Sequence, residues 1–260
     1  MEGFPWHKIA ALAYKGEILR DMIRSYRGGM GEESFLKRYL TRYAEGSPPN
    51  GFQKEWRADD GILNIYMKEY PHSLRRIHLP PIVLFWKGNL GLLQGRMGAV
   101  VGSRWAPAAA LERADRIGRR MEKAGLIGVS GLARGIDGSM HRACSPSIGV
   151  IGCGLDQVYP RENRSLYEKL EIEGLILSEF LPGVPPLPFH FPRRNRIIAA
   201  LGEWTAVIWG KPGSGAFITA YYALEEGKDL FVPEELLEAG ILPGYPLALL
   251  EKHLDTGEAL

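Results

Sequence analysis

Residues suited to binding phosphate stand at the end of an apolar run near the middle of this sequence. The run 126–129 (LIGV) passes through Ser130 and Gly131 into Ala-Arg-Gly at 133–135, the pattern of a buried strand that leads through a tight loop into a helix. Glycine permits close backbone approach, a helix start offers unpaired N–H groups to an anion, and Arg134 adds a positive charge. The loop is therefore a candidate anion site; the alternative is a pair of turn glycines beside a solvated arginine.

Similar loops follow other apolar runs. They include Gly-Ser-Arg at 102–104, Phe-Pro-Arg-Arg-Asn-Arg at 191–196 and a glycine-rich turn at 210–215. Arginine and lysine neutralise phosphate, backbone N–H groups bind its oxygens, and an aromatic ring stacks on a nucleobase for about 1–3 kcal/mol per base. The alternative to a ligand contact is that Phe191 packs in the core and that Arg196 supports the fold. The sequence predicts nucleic-acid contacts from Gly102, Ser103, Arg104, Gly131, Arg134, Phe191, Arg193, Arg194, Asn195, Arg196, Lys211, Ser214 and Gly215.

A catalytic interpretation of the central loop has less support. Residues 128–132 (GVSGL) resemble the nucleophile elbow GxSxG but carry leucine in place of the second glycine. Asp137 and His141 are four residues apart, so on a helix they share one face and could pair, and with Ser130 they would make a triad. The alternative is an aspartate that caps the helix and a histidine with a structural role. No GxGxxG follows the first strand and no Walker GxxxxGK(S/T) is present, so the motifs of dinucleotide and ATP binding are missing.

The elements that must position these loops alternate between strands and helices. Short apolar runs at 82–86, 97–102, 126–129, 148–151, 175–177, 205–209 and 230–232 predict strands, with helices predicted at 107–123, 137–144, 164–170, 194–201 and 216–226. This alternation predicts an α/β fold, a Rossmann-like, doubly wound, mostly parallel sheet, whose ligands bind beyond the carboxyl ends of the strands.

The chain divides into three predicted parts. Residues 1–68 form a small helical N-terminal domain, because apolar residues recur at helical spacing through 6–44. Residues 69–235 form the Rossmann-like domain that carries the candidate nucleic-acid-binding loops, and residues 236–260 form a short tail of loop and one short helix.

The composition of the chain indicates where the protein is found more clearly than what it does. The 260 residues are 45% hydrophobic with a net charge of +2, which is too mild to indicate nucleic-acid binding by itself. Cys144 and Cys153 lack zinc-site and CxxC spacing, and two cysteines suit a reducing compartment. There is no signal-peptide core and no long apolar run, so we expect a cytoplasmic protein without a membrane or metal partner.

Several motifs in series resemble one known family. They are Tyr-Pro at 70–71, PPIVLF at 80–85, VGSR at 101–104, SGLARGID at 130–137, GCGLD at 152–156, Ser-Glu at 178–179, FPRRNRII at 191–198, Ser-Gly at 214–215 and Val-Pro at 232–233. Each is weak alone, but in this order, from about residue 59 to 233, they resemble the DNA-processing protein A family, also called DprA or Smf.

This resemblance implies a protein of natural transformation that binds single-stranded DNA. Members protect incoming single strands and help to load a RecA-type recombinase, act as homodimers and catalyse no reaction. The family's DNA groove uses positions that match Arg104, Phe191 and 194–196. Trp209 and Glu234 depart from the usual acidic residue and glycine, and the 25 residues after Glu235 are too few for the C-terminal winged-helix domain of many members.

Two other function classes remain open at this point. A nucleotide-processing hydrolase resembling the lysine-decarboxylase-like phosphoribohydrolases shares a glycine-rich loop before a helix, but it needs a glutamate where this chain has FITA at 217–220. A scaffold that binds only protein would need none of the phosphate chemistry.

Overall fold

The computed structural model describes residues 6–14, 16–44, 61–242 and 246–250. Its strands are β1 (Gly61–Asn64), β2 (Val83–Gly88), β3 (Met97–Val101), β4 (Ile127–Ser130), β5 (Ser147–Ile151), β6 (Leu175–Ser178), β7 (Trp204–Val207), β8 (Asp229–Val232) and β9 (Ala248–Leu249). Within the described ranges they form one sheet in the order β1-β2-β6-β5-β4-β3-β7-β8-β9. All pairings from β6 to β9 are parallel, whereas β2 pairs antiparallel with both β1 and β6.

Helices cover both faces of this sheet. They are α1 (Trp6–Ala13), α2 (Gly16–Arg27), α3 (Glu32–Ala44), α4 (His72–Arg76), α5 (Ala108–Lys123), α6 (Ile136–Ala143), α7 (Arg164–Glu173), α8 (His190–Leu201), α9 (Gly215–Glu225) and α10 (Glu234–Glu238). Because side chains alternate along a strand, Val100 of β3 packs with α5 and α6, while Ala99 and Val101 join the cluster that contains α8 and α9. The predicted doubly wound, mostly parallel α/β fold is therefore confirmed.

The direction of the chain through the sheet reverses beside β3. The chain passes from β3 through β4 and β5 to β6 on one side, and then returns to place β7 and β8 on the other side. A crevice forms beyond the carboxyl ends of the strands at such a reversal, and it is the usual ligand site of this architecture. The loops after β3, β4 and β7 border that crevice.

The N-terminal helices pack on the sheet through a shared apolar core. Ile9 and Met22 belong to the same buried cluster as Leu84 of β2. Trp6 and Phe35 stack with ring centroids 6.1 Å apart. The helical periodicity of 6–44 is confirmed, since α1, α2 and α3 fill that range.

Two strands were absent from the sequence prediction. Residues 61–64 fall inside the range assigned to the helical domain but form β1, antiparallel to β2. The reason is local packing: a Cβ at Gly61 would lie 2.0 Å from the Trp86 ring, so only glycine fits against the indole. In the predicted tail, β9 adds a two-residue parallel strand, and the short helix α10 spans the predicted boundary at 235/236. Residues 1–5, 45–60 and 251–260 of the predicted parts lie outside the described residues.

The described helices and side chains offer neither a membrane span nor a metal-binding cluster. None of those helices is both long and apolar enough to cross a bilayer. The described residues contain no group of three or more His, Cys, Asp and Glu side chains placed to hold a metal ion. Cys144 and Cys153 are both buried thiols, and burial raises the pKa of Cys153 to about 12.

Candidate nucleic-acid interface

A pocket of about 290 Å³ lies at the point where the chain direction reverses. It is bordered by the loop after β3, the first two turns of α8 and the start of α9. Eight of the residues predicted from the sequence line it, namely Gly102, Ser103, Arg104, Phe191, Arg194, Asn195, Ser214 and Gly215. The structure therefore brings together loops that are more than a hundred residues apart in the chain.

A second pocket of about 110 Å³ continues the first one. Arg104, Phe191 and Arg194 line both pockets, and the predicted residues Gly131 and Arg134 line the second. We call the two pockets together the groove. Its walls combine arginines with aromatic rings and backbone N–H groups, which is the chemistry of nucleic-acid binding.

Guanidinium groups lie next to aromatic rings in the groove. The Arg104 guanidinium lies 4.8 Å from the centroid of the Phe191 ring. The centroids of the Phe191 and Tyr159 rings are 5.5 Å apart. The Arg134 guanidinium lies 5.8 Å from the ring of Trp105, which is 78% exposed. Flat, accessible rings of this kind are surfaces on which unpaired bases stack.

Trp105 and Tyr159 are groove residues that the sequence reasoning missed. A signal was available for both: Trp105 directly follows Gly-Ser-Arg at a strand end, and Tyr159 precedes Pro160 in the loop region after β5. Ligands of this architecture bind beyond the carboxyl ends of the strands, so a tryptophan directly after Gly-Ser-Arg already favoured a ligand role.

Arg194 holds two loops of the groove in place. Its guanidinium is buried and donates to the carbonyl of Gly131 at 2.8 Å and to the carbonyl of Val150. A Cβ at residue 131 would lie 2.3 Å from Nη1 of Arg194, so glycine is required for this approach. Asn195 donates from Nδ2 to the carbonyl of Gly215 at 3.0 Å and so fixes the start of α9.

The start of α9 offers an anion-binding geometry. Ser214 precedes the helix, and its buried Oγ makes no hydrogen bond within the described part of the chain. Gly213 has φ of +78°, a left-handed conformation that suits glycine and turns the loop into the helix. Lys211 of the same loop is exposed and lines neither pocket, so the structure leaves it at the periphery of the predicted site.

The side chains considered for a triad do not assemble one. Ser130 donates to the carbonyl of Val100 at 2.6 Å, and Asp137 accepts the N–H of Gly131 at 3.1 Å. The hypothesis that Asp137 pairs with His141 is wrong, because Nδ1 of that histidine lies 2.9 Å from Oγ of Ser147 and its Nε2 is buried with no hydrogen-bond partner among the described residues.

The protonation of these two buried groups follows from their surroundings. Burial raises the pKa of Asp137, and the Arg194 charge opposes this shift. Burial lowers the pKa of His141 to about 3, so this histidine is neutral at ordinary pH. Asp137 therefore closes the loop after β4 from inside α6. It is not the capping aspartate of the alternative interpretation, because the N-cap of α6 is Gly135, whereas His141 is the structural histidine of that interpretation.

Arg193 and Arg196 do not reach the groove. Both are paired with Glu179, at 2.8 Å from Nε of Arg193 and 2.6 Å from Nη2 of Arg196. We call these three residues the Glu179 cluster. The prediction that both arginines contact a ligand does not fit this placement, and the physical reason is that α8 begins at His190, four residues earlier than predicted. Residues 193 and 196 then lie on the helix face opposite to Phe191 and Arg194.

The Glu179 cluster is an internal ion-pair network. Burial alone would raise the pKa of Glu179, but the charges of Arg196 and Arg193 outweigh it and lower this pKa to about 2. Arg196 also donates to the carbonyl of Leu79 at 2.8 Å. The network thus ties α8 to the end of β6 and to the segment before β2.

Two carboxylates lie near the arginines of the groove in the described part of the chain: buried Asp137, which lines the larger pocket, and Glu162, which is beside Arg134. Glu162 forms an ion pair with Arg134, and both side chains are about half exposed. A phosphate that approaches Arg134 must therefore compete with this carboxylate.

Comparison with known proteins identifies the family. The sequence profile described as DNA recombination-mediator protein A matches residues 61–246, which begin at β1 and run past α10. The chain belongs to this family. DNA processing protein DprA of Bacillus subtilis is 41% identical over 196 residues, which cover 73% of this chain and 65% of that protein. DprA of Streptococcus pneumoniae is 43% identical over 174 residues, covering 65% of this chain and 61% of that protein. These matches span somewhat less than two thirds of each relative's length.

Two solved DprA structures share the fold. The DprA of Streptococcus pneumoniae superposes with a TM-score of 0.71 at 34% identity and covers 97% of this chain and 93% of its own. DprA of Helicobacter pylori, which has a single-stranded DNA binding mode, superposes with a TM-score of 0.65 at 28% identity over 70% of this chain and 88% of its own. The resemblance inferred from the motifs is therefore confirmed.

Proposed function

We propose that this chain binds single-stranded DNA in the groove. The observation that carries the proposal is the pairing of rings with exposed arginines across the two pockets, with Arg104 over Phe191 and Arg134 over Trp105. The single-stranded DNA binding mode of the Helicobacter pylori relative supports it. The bound strand lies with bases on the rings and with phosphates on Arg104 and Arg134.

The rings favour a single strand over a duplex. A base offers its flat face to Phe191, Trp105 or Tyr159 only when it is not stacked and paired inside a double helix. Phosphates alone would not distinguish the two forms, since both carry them. The N–H groups at the start of α9 supply a further phosphate contact that does not depend on base sequence.

We extend the proposal to the wider role that the family resemblance implies. Protection of incoming single strands during natural transformation, assistance in loading a RecA-type recombinase, action as a homodimer in the cytoplasm and the lack of a catalysed reaction are parts of this proposal. The hydrolase alternative is not favoured, because the turn that would carry its glutamate holds buried Phe217 and Thr219, whose Oγ1 bonds the carbonyl of Gly215.

A binding experiment tests the groove directly. Fluorescence anisotropy of labelled oligo-dT and of a duplex of the same length, at two salt concentrations, should show tighter binding of the single strand. The logarithm of the binding constant should fall with the logarithm of salt by roughly 0.7 per phosphate contacted. Phe191→Ala should weaken oligo-dT binding by about 1–3 kcal/mol if one base stacks on this ring.

The matched control is Tyr221→Ala. Tyr221 is another exposed aromatic residue, lies on α9 and lines neither pocket, so its removal should leave oligo-dT binding unchanged. Equal affinity for oligo-dT and duplex, or an unchanged affinity of Phe191→Ala, would refute the proposed groove.

A further inference from the structure

Two faces of the first turn of α8 make different contacts. Phe191 and Arg194, three residues apart, point into the groove. His190 and Arg193, also three residues apart, point toward the N-terminal helices and contact the end of α1. A single helical turn therefore contacts both the proposed DNA site and the helical part of the chain.

His190 connects Tyr14 to the loop after β5. The ring of His190 is fully buried, with Nε2 2.7 Å from the hydroxyl of Tyr14 and Nδ1 3.0 Å from the carbonyl of Gly152. A neutral imidazole has one N–H, so it donates from Nδ1 to that carbonyl and accepts the Tyr14 hydroxyl at Nε2. This assignment satisfies Tyr14 and Gly152. It leaves the N–H of Leu187, which lies farther from the same Nδ1 at 3.4 Å, without a lone pair to bond there.

Gly152 also supports the Phe191 ring. A Cβ at residue 152 would lie 3.0 Å from Cδ1 of Phe191, so the ring packs directly on the glycine backbone. The carbonyl that His190 holds and the surface on which Phe191 rests therefore belong to the same residue. A shift of His190 would displace the ring through the helix and through this contact.

Arg193 strengthens the connection on the same side. It donates to the carbonyls of Ala13 and Tyr14 at 3.3 and 3.4 Å, at the end of α1, while its Nε bonds Glu179. The Tyr14 ring lies edge-on to His190 at 5.7 Å and to Phe180 at 6.3 Å. The end of α1 is thus held by hydrogen bonds and by ring packing.

We propose that Tyr14 is a positioning residue for DNA binding: its hydroxyl orients His190, which fixes the first turn of α8 and with it the Phe191 ring in the groove. The inference rests on the proposed function. It assigns to the N-terminal helices a part in binding, although none of their residues lines the groove within the described ranges.

The test compares two tyrosine variants of the full chain. Tyr14→Phe removes the hydroxyl that bonds His190. Tyr39→Phe is the matched control, because its hydroxyl bonds Ser25 and Asp21 entirely within the N-terminal helices. Tyr14→Phe should weaken oligo-dT binding roughly twofold to tenfold, as expected for one hydrogen bond, with an unchanged salt slope since no phosphate contact is lost. Tyr39→Phe should bind like the wild type.

Two further readouts separate positioning from general destabilisation. In the Phe191→Ala background, Tyr14→Phe should cause no additional loss of affinity, because the ring that it positions is gone. In the free protein, amide hydrogen exchange at residues 190–194 should be faster in Tyr14→Phe and unchanged in Tyr39→Phe.

The possible results distinguish a failure of the positioning role from a failure of the proposed function. If the wild type binds oligo-dT and Tyr14→Phe binds equally well, or if its effect persists undiminished without Phe191, the positioning role is refuted and the proposed function stands. If the wild type does not bind oligo-dT, the proposed function fails, and the exchange experiment alone then decides whether Tyr14 orders the first turn of α8.

Discussion

The groove and the Glu179 cluster use the same side chain in opposite ways. In the groove, Arg104 is exposed and lies over an aromatic ring. In the Glu179 cluster, Arg196 is 5% exposed and bonds a carboxylate and a carbonyl. Only one residue separates Arg196 from Arg194, which lines the groove, so helix periodicity and not sequence distance decides which region an arginine joins.

This difference shows why the number of arginines overstates the charge available to a ligand. A guanidinium that neutralises a buried carboxylate is already desolvated and paired, and a phosphate cannot take it without leaving Glu179 as an unpaired charge. The residues that remain available to DNA are those whose partners are rings or an exposed acid, namely Arg104 and Arg134.

Arg196→Ala should destabilise the protein by about 3–5 kcal/mol, because it breaks a buried ion pair and leaves Glu179 with less compensation. Urea unfolding followed by circular dichroism measures this change. Arg104→Ala is the matched control and should change the free energy of unfolding by no more than about 0.5 kcal/mol. Similar losses in the two variants would contradict the division between structural and ligand-binding arginines.

Acid should weaken the Glu179 cluster in a defined pH range. The pKa of Glu179 is lowered to about 2 from its ordinary value of 4.5, so its stabilisation is complete above pH 4.5 and is lost as the pH falls toward 2. The free energy of unfolding, measured in urea from pH 6 to pH 2, should fall less steeply in Glu179→Gln than in the wild type. Parallel curves would show that the two arginines do not hold this carboxyl ionised.

Arg104→Ala should weaken oligo-dT binding about tenfold, as expected when a hydrogen bond to a charged group is lost. It should also reduce the magnitude of the salt slope by about 0.7, the value for one phosphate contact. Arg119→Ala is a suitable control, since Arg119 is exposed on α5 and pairs only with Asp115 among the described contacts. An unchanged slope in Arg104→Ala would assign Arg104 to support of the Phe191 ring alone.

Glu162→Gln should strengthen oligo-dT binding about twofold to threefold at low salt, because it releases Arg134 from an exposed ion pair of modest strength. The gain should shrink as salt rises. Glu168→Gln changes the charge by the same amount at an exposed position of α7 outside the groove, and anisotropy titrations of both variants separate a local from a general charge effect. Equal gains would show that only net charge matters.

The sequence predicted the parallel sheet and most of the groove because both depend on local patterns. Strands such as β3 are buried on both faces and appear as continuous apolar runs, and the ligand loops of this architecture follow such strands directly. The edge strand β1 escaped prediction because its four residues follow a long polar stretch and are specified by the Trp86 ring, a contact that the sequence does not display.

The errors at α8 have a single origin. Placing the helix start at Arg194 left Phe191 and Arg193 in a loop, where all the arginines of 191–196 could face one ligand. With the start at His190, the same residues divide between two helix faces. The partner that captures Arg193 and Arg196 is Glu179 at the end of β6, which could be assigned only once the fold had brought the two segments together.

The reversal of the chain beside β3 gives the proposed ligand an effect on the protein itself. The groove is lined by segments at 102–105, 131–134, 191–195 and 214–216, which are far apart in the sequence and lie together only in the folded chain. A strand that contacts all of them acts as a noncovalent cross-link and binds only the folded chain. Saturating oligo-dT should therefore raise the melting temperature of the protein in proportion to the logarithm of the free oligo-dT concentration. The proposed ligand would then stabilise the folded state of the protein that binds it.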